Sequence, residues 1–120
     1  MNVLLIDDTP EIAELLAYAL RDRGHHVVAS GYATDINELV KSTAAAGVVL
    51  DCSVFNMSES LFDELRGDAA HASLPVVIVS DTPEKADASL RARQADHVML
   101  IPKPFTGSLI ARALVELARA

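Results

Sequence analysis

Five short apolar runs, rich in β-branched residues and almost free of polar interruption, constrain this chain more than anything else in it. They are Val3-Leu4-Leu5-Ile6, Val27-Val28-Ala29, Val48-Val49-Leu50, Val76-Val77-Ile78-Val79 and Val98-Met99-Leu100-Ile101. A strand with one wet face alternates polar and apolar residues. A run without alternation fits a strand buried on both faces, as in a parallel sheet.

Helical patterns separate the runs. From Pro10 to Arg23, residues Ile12, Leu15, Leu16, Ala19 and Leu20 recur at helical spacing and form one apolar stripe. Thr9 suits the N-cap, Pro10 the first helical position and Gly24 the exit. The last helix is expected over Ser108 to Arg119, where Leu109, Ala113 and Leu117 share a face with Ile110 and Leu114. Weaker helices are expected over Thr34 to Lys41, Ser58 to Arg66 and Pro83 to Gln94. The last of these is rich in Ala and charge and should pack lightly. Ala44-Ala45-Ala46 reads as a helix-to-strand connection.

Strand and helix alternate five times, which predicts a three-layer α/β domain with helices on both faces of a parallel sheet. At 120 residues, half of them apolar, the chain is one domain with a core of its own and no output domain. The single Cys52 excludes an internal disulfide and fits a reducing cytoplasm. It follows Asp51 in a strand and reads as buried filler. No run approaches the roughly 18 residues of a membrane span, and no signal-peptide pattern opens the chain. The net charge of -7 argues against direct contact with nucleic acid or anionic lipid, and the absence of Trp leaves little for base stacking.

Ligands of open α/β sheets bind beyond the carboxyl ends of the strands. Asp7 and Asp8 follow the first strand, Asp51 ends the third, Ser80 and Asp81 close the fourth, and Lys103 follows the fifth. With strand order 2-1-3-4-5, these groups converge on one rim. Clustered carboxylates repel, and a hard divalent cation such as Mg²⁺ relieves the repulsion through oxygen ligands. Lys103 can pair with Asp51 or with a phosphoryl group on it, and Ser80 can donate to a phosphoryl oxygen. A carboxylate nucleophile, a metal, a cation and a hydroxyl are the parts that phosphoryl transfer to an aspartate requires. Each has a plainer reading alone: a helix N-terminal acid, a strand-ending Asp, a turn Ser, a rigid loop at Lys103-Pro104-Phe105. The combination is the specific signal.

Over its whole length the sequence resembles the response-regulator receiver domains of two-component signalling. The likeness rests on Leu4-Leu5-Ile6-Asp7-Asp8-Thr9-Pro10-Glu11, Val48-Val49-Leu50-Asp51, Pro75-Val76-Val77-Ile78-Val79-Ser80 and Lys103-Pro104-Phe105. It implies a flavodoxin-like, doubly wound sheet of five parallel strands in order 2-1-3-4-5 with five helices. It implies that Asp51 accepts a phosphoryl group from the phosphohistidine of a sensor histidine kinase or phosphotransfer protein. It implies Mg²⁺ held by Asp8, Asp51 and the backbone carbonyl of Ser53, with Asp7 acting through water. Ser80 and Lys103 would sense the phosphoryl oxygens and relay the change to an unknown target protein. The expected protein is a cytoplasmic monomer or weak homodimer, with no enzymatic activity beyond its own phosphotransfer and autodephosphorylation.

Several positions depart from the family pattern. The stretch after the acceptor, Val54-Phe55-Asn56-Met57-Ser58-Glu59, lacks the usual Pro and Gly. Asp81 stands where a small residue usually follows Ser80, and would either oppose added negative charge or face solvent as a helix cap. Leu100 replaces the usual aromatic, and the stretch from Asp96 to Lys103 is about two residues longer than the usual spacing. These changes motivate an alternative, a pseudo-receiver that binds partners without phosphorylation. A flavin or nucleotide site is disfavoured because the first turn is acidic and contains Pro. A hydrolytic phosphatase lacks a substrate-enclosing cap. His25, His26, His71 and His97 show no metal-ligand spacing, and Arg91 and Arg93 read as a solvated helix face. Phe55 and Met57 either face a partner or fold back onto the domain.

Overall fold

The computed structural model describes residues 1–32 and 35–119. Strands β1 (Asn2–Asp7), β2 (His26–Ser30), β3 (Gly47–Asp51), β4 (Val76–Ser80) and β5 (Val98–Pro102) form one parallel sheet in the order β2-β1-β3-β4-β5. Helices α1 (Pro10–Arg21), α2 (Ile36–Thr43), α3 (Phe55–Arg66), α4 (Pro83–Ala92) and α5 (Gly107–Arg119) follow the strands in turn. The expected α/β architecture and strand order are those observed.

The continuous apolar runs explain the two cores. Successive strand side chains point to opposite faces. Val3, Leu5, Val49, Val77 and Val79 pack under α1 and α5. Leu4, Ile6, Val48, Leu50, Val76 and Ile78 pack on the other face against Ile36, Val40, Leu61, Phe62 and Leu65. Register pairs Leu5 with Val49 and Leu50 with Ile78, so each layer is continuous across the sheet. Leu4, Leu5, Ile6, Leu50 and Ile78 are fully buried, each stabilising the fold by roughly 1.5–3 kcal/mol. The strand ends that carry the acidic residues are thus anchored from below.

Several local expectations are corrected. α1 buries Ala13, Leu16, Ala17 and Leu20, while Ile12 and Leu15 of the expected stripe are exposed, Leu15 at 73%. The small alanines let the helix lie close to the sheet, which turns the bulkier residues outward. Leu109 is likewise exposed, and α5 buries Ile110, Ala111, Ala113 and Leu114. Thr9 occupies the N-cap of α1, but its side chain makes no capping hydrogen bond. α2 begins two residues later than expected, because Asp35 caps it by accepting from the Glu38 amide at 3.1 Å. Thr34, the expected start, lies outside the described residues. α3 begins three residues early, at Phe55. With no Pro or Gly to break it, the segment winds on so that Phe55, Ser58, Phe62 and Leu65 share the buried face. Phe55 is therefore core, and Met57 packs partly against the same cluster.

α4 buries only Ala86, as its composition led one to expect. Arg93, however, does not simply face water. Its guanidinium holds Asp63 of α3 through two hydrogen bonds, 2.8 and 3.0 Å, and reaches Glu59 at 3.2 Å. Ser89 of α4 also donates to Glu59. A polar clamp thus substitutes for the apolar contacts that α4 lacks. Arg91 pairs with Asp87 on the exposed side.

At the opposite end of the sheet from the acidic rim, Arg66 donates to the carbonyls of His71, Leu74, Asp96 and His97 at 2.8–3.1 Å. It also lies over the Phe62 ring, 4.8 Å from the centroid. His71 Nδ1 bonds Asn37 Oδ1 at 2.7 Å, and His25 Nδ1 meets the N-terminal ammonium at 3.0 Å. These two histidines have structural roles. No helix of the described residues is long and apolar enough to cross a membrane.

Candidate functional site

β1 and β3 end side by side, and Asp7 and Asp51 are register partners there. Both are almost fully buried, at 4% and 2% exposure. Lys103, carried just beyond β5, places its Nζ 3.0 Å from Asp51 Oδ1. The Lys103 amide also donates to the Ser80 carbonyl at 2.8 Å, which ties the ends of β4 and β5 together. The Lys103–Pro104 bond that follows is cis.

The electrostatics follow from this crowding. Burial and the neighbouring Asp51 charge push Asp7 up to about 6, against the pull of the Thr9 amide that donates to its Oδ1 at 2.8 Å. Burial draws the Lys103 pKa down, but the hydrogen bond and charge of Asp51 outweigh it and hold it above its ordinary value. Asp8 is held below the usual carboxylate range, chiefly by the Ser53 hydroxyl that donates to it. The Ser53 amide donates to the other Asp8 oxygen at 2.9 Å. Asp8 and Ser53, expected at one metal position, are thus in direct contact.

Ser80 is buried at the rim, but its hydroxyl is turned into its own loop. It accepts from the Thr82 amide at 3.0 Å and shares a hydrogen bond with the Thr82 hydroxyl at 3.2 Å. Thr82 was not singled out in the sequence, although Ser-x-Thr before a helix-starting Pro is the pattern of such a turn. Asp81 is exposed, and the N-cap position of α4 belongs to Thr82, without a side-chain cap bond. Neither expected alternative for Asp81 holds in full: it faces solvent but caps nothing, and its charge still reaches Lys103. Cys52 is buried, and burial raises its thiol to about 11, which leaves it unreactive.

Asp7 Oδ2 and Asp51 Oδ2 are buried and meet no donor. Two unpaired anionic oxygens side by side are what a cation would satisfy. Among the described residues no set of three or more His, Cys, Asp or Glu side chains converges as metal ligands, and the Asp8 carboxylate accepts from Ser53. The donor set available is two carboxylates, completed by backbone carbonyl and water. That set fits Mg²⁺, which takes few carboxylates and keeps much of its water.

Residues 3–115 match the family described as response regulator receiver domain. The chain belongs to this family. The receiver is 30% identical over 99% of its length to a Mycobacterium tuberculosis protein named "Probable transcriptional regulatory protein TcrX", covering 50% of that protein. It is 28% identical over 98% of its length to the DNA-binding response regulator MtrA of Mycolicibacterium smegmatis, covering 51% of it. The chain therefore spans about half the length of these curated relatives. In fold it is similar to a sensor protein from Polaromonas sp. JS666, with a TM-score of 0.85 at 23% identity over 98% of this chain and 95% of that one.

The receiver's departures leave the Asp51–Lys103 contact in place, although the Asp81 charge reaches Lys103. Leu100, at the position of the usual aromatic, is half-buried and packs against the α3–α4 side of the core. Gln94, just before the longer stretch that leads to Lys103, and His97, within it, both have positive φ (50° and 54°). The segment after the acceptor is absorbed into α3.

Proposed function

We propose that this receiver accepts a phosphoryl group on Asp51 from the phosphohistidine of a sensor histidine kinase. The observation that carries the reading is the Asp51 carboxylate itself: one oxygen is held by Lys103 at 3.0 Å and the other is unpaired. The unpaired oxygen attacks phosphorus, the phosphorus–nitrogen bond breaks, and the imidazole leaves and takes up a proton. Lys103 keeps the carboxylate oriented and offsets the charge gathering on the phosphoryl oxygens. Mg²⁺ would be held by Asp51, by the Ser53 carbonyl and by Asp8 once it releases the Ser53 hydroxyl, with Asp7 behind water, and would neutralise the same oxygens.

For Ser80 to reach a phosphoryl oxygen, its hydroxyl must leave Thr82. That exchange is a local two-state change next to the start of α4, and it gives the signal a first step. The exposed row Ile12, Leu15 and Tyr18 on α1 begins close to the rim and offers a partner an apolar rest while its phosphohistidine reaches Asp51. The chain acts as a regulator whose chemistry is limited to its own phosphotransfer and autodephosphorylation. A phosphorylation-independent pseudo-receiver gains no support, since Asp81 and Leu100 leave the acceptor and its lysine paired.

The test is the intact mass after incubation with Mg²⁺ and acetyl phosphate, with Asp51→Asn as control. A gain of one phosphoryl group that requires both Mg²⁺ and Asp51 is expected. Equal gain by Asp51→Asn would overturn the acceptor assignment, and no gain with any small donor or kinase would overturn the function.

A further inference from the structure

A cleft of about 570 Å³ lies between the end of α1 and the outer face of α5, lined by none of the rim residues. It is cationic on an acidic molecule. The chain has ten Lys and Arg against seventeen Asp and Glu, and three of those ten, Arg23, Arg112 and Arg119, line this one cleft. The His25 ring also lines it, held neutral by burial and by the N-terminal ammonium that donates to its Nδ1 at 3.0 Å, so the added positive charge there is the ammonium's. Glu116 is the single acidic residue in the lining.

Elsewhere Arg91, Arg93 and Lys103 each hold a carboxylate, Arg21 and Arg66 donate to backbone carbonyls, and Lys41 and Lys85 stand singly rather than in a cluster. Among the described residues, neither Arg112 nor Arg119 has an acidic partner within 4 Å, although Glu116 is four residues from Arg112 on the same helix. Arg23 is already oriented, donating to the Ala19 carbonyl at 3.2 Å and to the Ser108 hydroxyl. These bonds use two of its five donors. Ala111 and Val115 form an apolar floor between the charges.

We infer that this cleft docks an acidic peptide segment of a partner protein, with an aliphatic side chain resting on Ala111 and Val115. The dimensions favour a peptide over a small anion. From Ser108 to Arg119 the helix advances about 17 Å, enough for an extended segment of about five residues. A single phosphate would engage one end only. No Phe, Tyr or Trp lines the cleft, so a nucleotide base would lack the broad stacking platforms that such sites use. Rim-exposed arginines of this kind set on-rate and partner choice more than raw affinity, so binding should weaken steeply with salt.

The test is an amide NMR titration of the whole chain at low salt with the blocked peptide Glu-Glu-Leu-Glu-Glu. Shifts are expected at residues 21–25 and along α5, with affinity lowered about tenfold or more in an Arg112→Gln, Arg119→Gln double variant. Both side chains are exposed, so the variant should fold. Asp51→Asn should bind the peptide unchanged, which separates this docking site from phosphoryl acceptance. Equal shifts with the Gln-Gln-Leu-Gln-Gln peptide, unchanged affinity in the double variant, or no shifts at all would overturn the proposal. So would tripolyphosphate reproducing the shifts at lower concentration, which would make the cleft a small-anion site.

Discussion

Asp7 and Asp51 end neighbouring strands in register, and each keeps one buried carboxylate oxygen that no donor reaches. Parallel pairing forces this closeness, because β1 and β3 are adjacent and stop at the same level. The fold accommodates it in two ways. Lys103 offsets the charge on Asp51, and Asp7 keeps its proton to an unusually high pH. The repulsion that remains is available to drive cation binding.

The Asp7 shift predicts how stability depends on pH. Its pKa rises from 3.8 to about 6 on folding, so between these values the folded chain retains a proton that the unfolded chain has released. Stability of the metal-free chain therefore falls as pH rises through this window, by on the order of 3 kcal/mol. Urea melts at about pH 4 and about pH 7 should show the loss, and Asp7→Asn should flatten it. Added Mg²⁺ should raise stability more at the higher pH, where Asp7 has released its proton.

Replacing Lys103 by Met should leave Asp51 as an uncompensated buried charge. The expected cost at neutral pH is on the order of 2 kcal/mol, less than for a fully buried pair because Lys103 is 28% exposed. The deficit should shrink on acidification as Asp7 takes up its proton and the crowding of negative charge around Asp51 eases. Paired denaturation curves of the variant and the natural chain at the two pH values measure this. A deficit of equal size at both would mean that packing, not charge, is what Lys103 supplies.

Arg93→Ala should loosen α4 without unfolding the domain. The bidentate grip on Asp63 and the contact with Glu59 are partly exposed, so the global loss should be about 1 kcal/mol. The local effect should be larger: amide exchange over α4 should quicken about tenfold while β1 and β3 stay protected. High salt should mimic part of this in the unmodified chain.

Gly107 has no space for a methyl group. A Cβ there would overlap the Cβ of Ala19, where α5 begins against α1. Gly107→Ala should cost about 1–3 kcal/mol, and Ala19→Gly in the same chain should recover much of it. Thermal melts of the two single variants and the double variant form the cycle.

The sheet was legible in the sequence because runs such as Leu4-Leu5-Ile6 and Val76-Val77-Ile78 have no polar face to misplace. The rim was legible because strand order alone brings Asp7, Asp51, Ser80 and Lys103 together. What the sequence hid depends on competition between similar choices. In α1 two apolar stripes overlap, and the one with Ala13 and Ala17 lies against the sheet because small residues permit closer packing. The first turn of α3 looked like loop because the family usually has Pro and Gly there, whereas Phe55 here gains by burial. The Ser80–Thr82 turn and the Arg93 clamp are side-chain geometries spanning two and thirty residues, and no periodicity announces them.

Arg66 gives the molecule a fixed foot. One guanidinium stitches the loops before β4 and β5 to the end of α3 through four carbonyls, reinforcing the Val76 amide that donates to the His97 carbonyl at 3.0 Å. Two strands clamped at the base cannot slide past each other, so any movement begun at Ser80 or Lys103 must swing about that base. Signal amplitude then grows with distance from Arg66 and is greatest at the loops around the acceptor. The same side chain that secures the fold therefore sets the direction in which the fold can give.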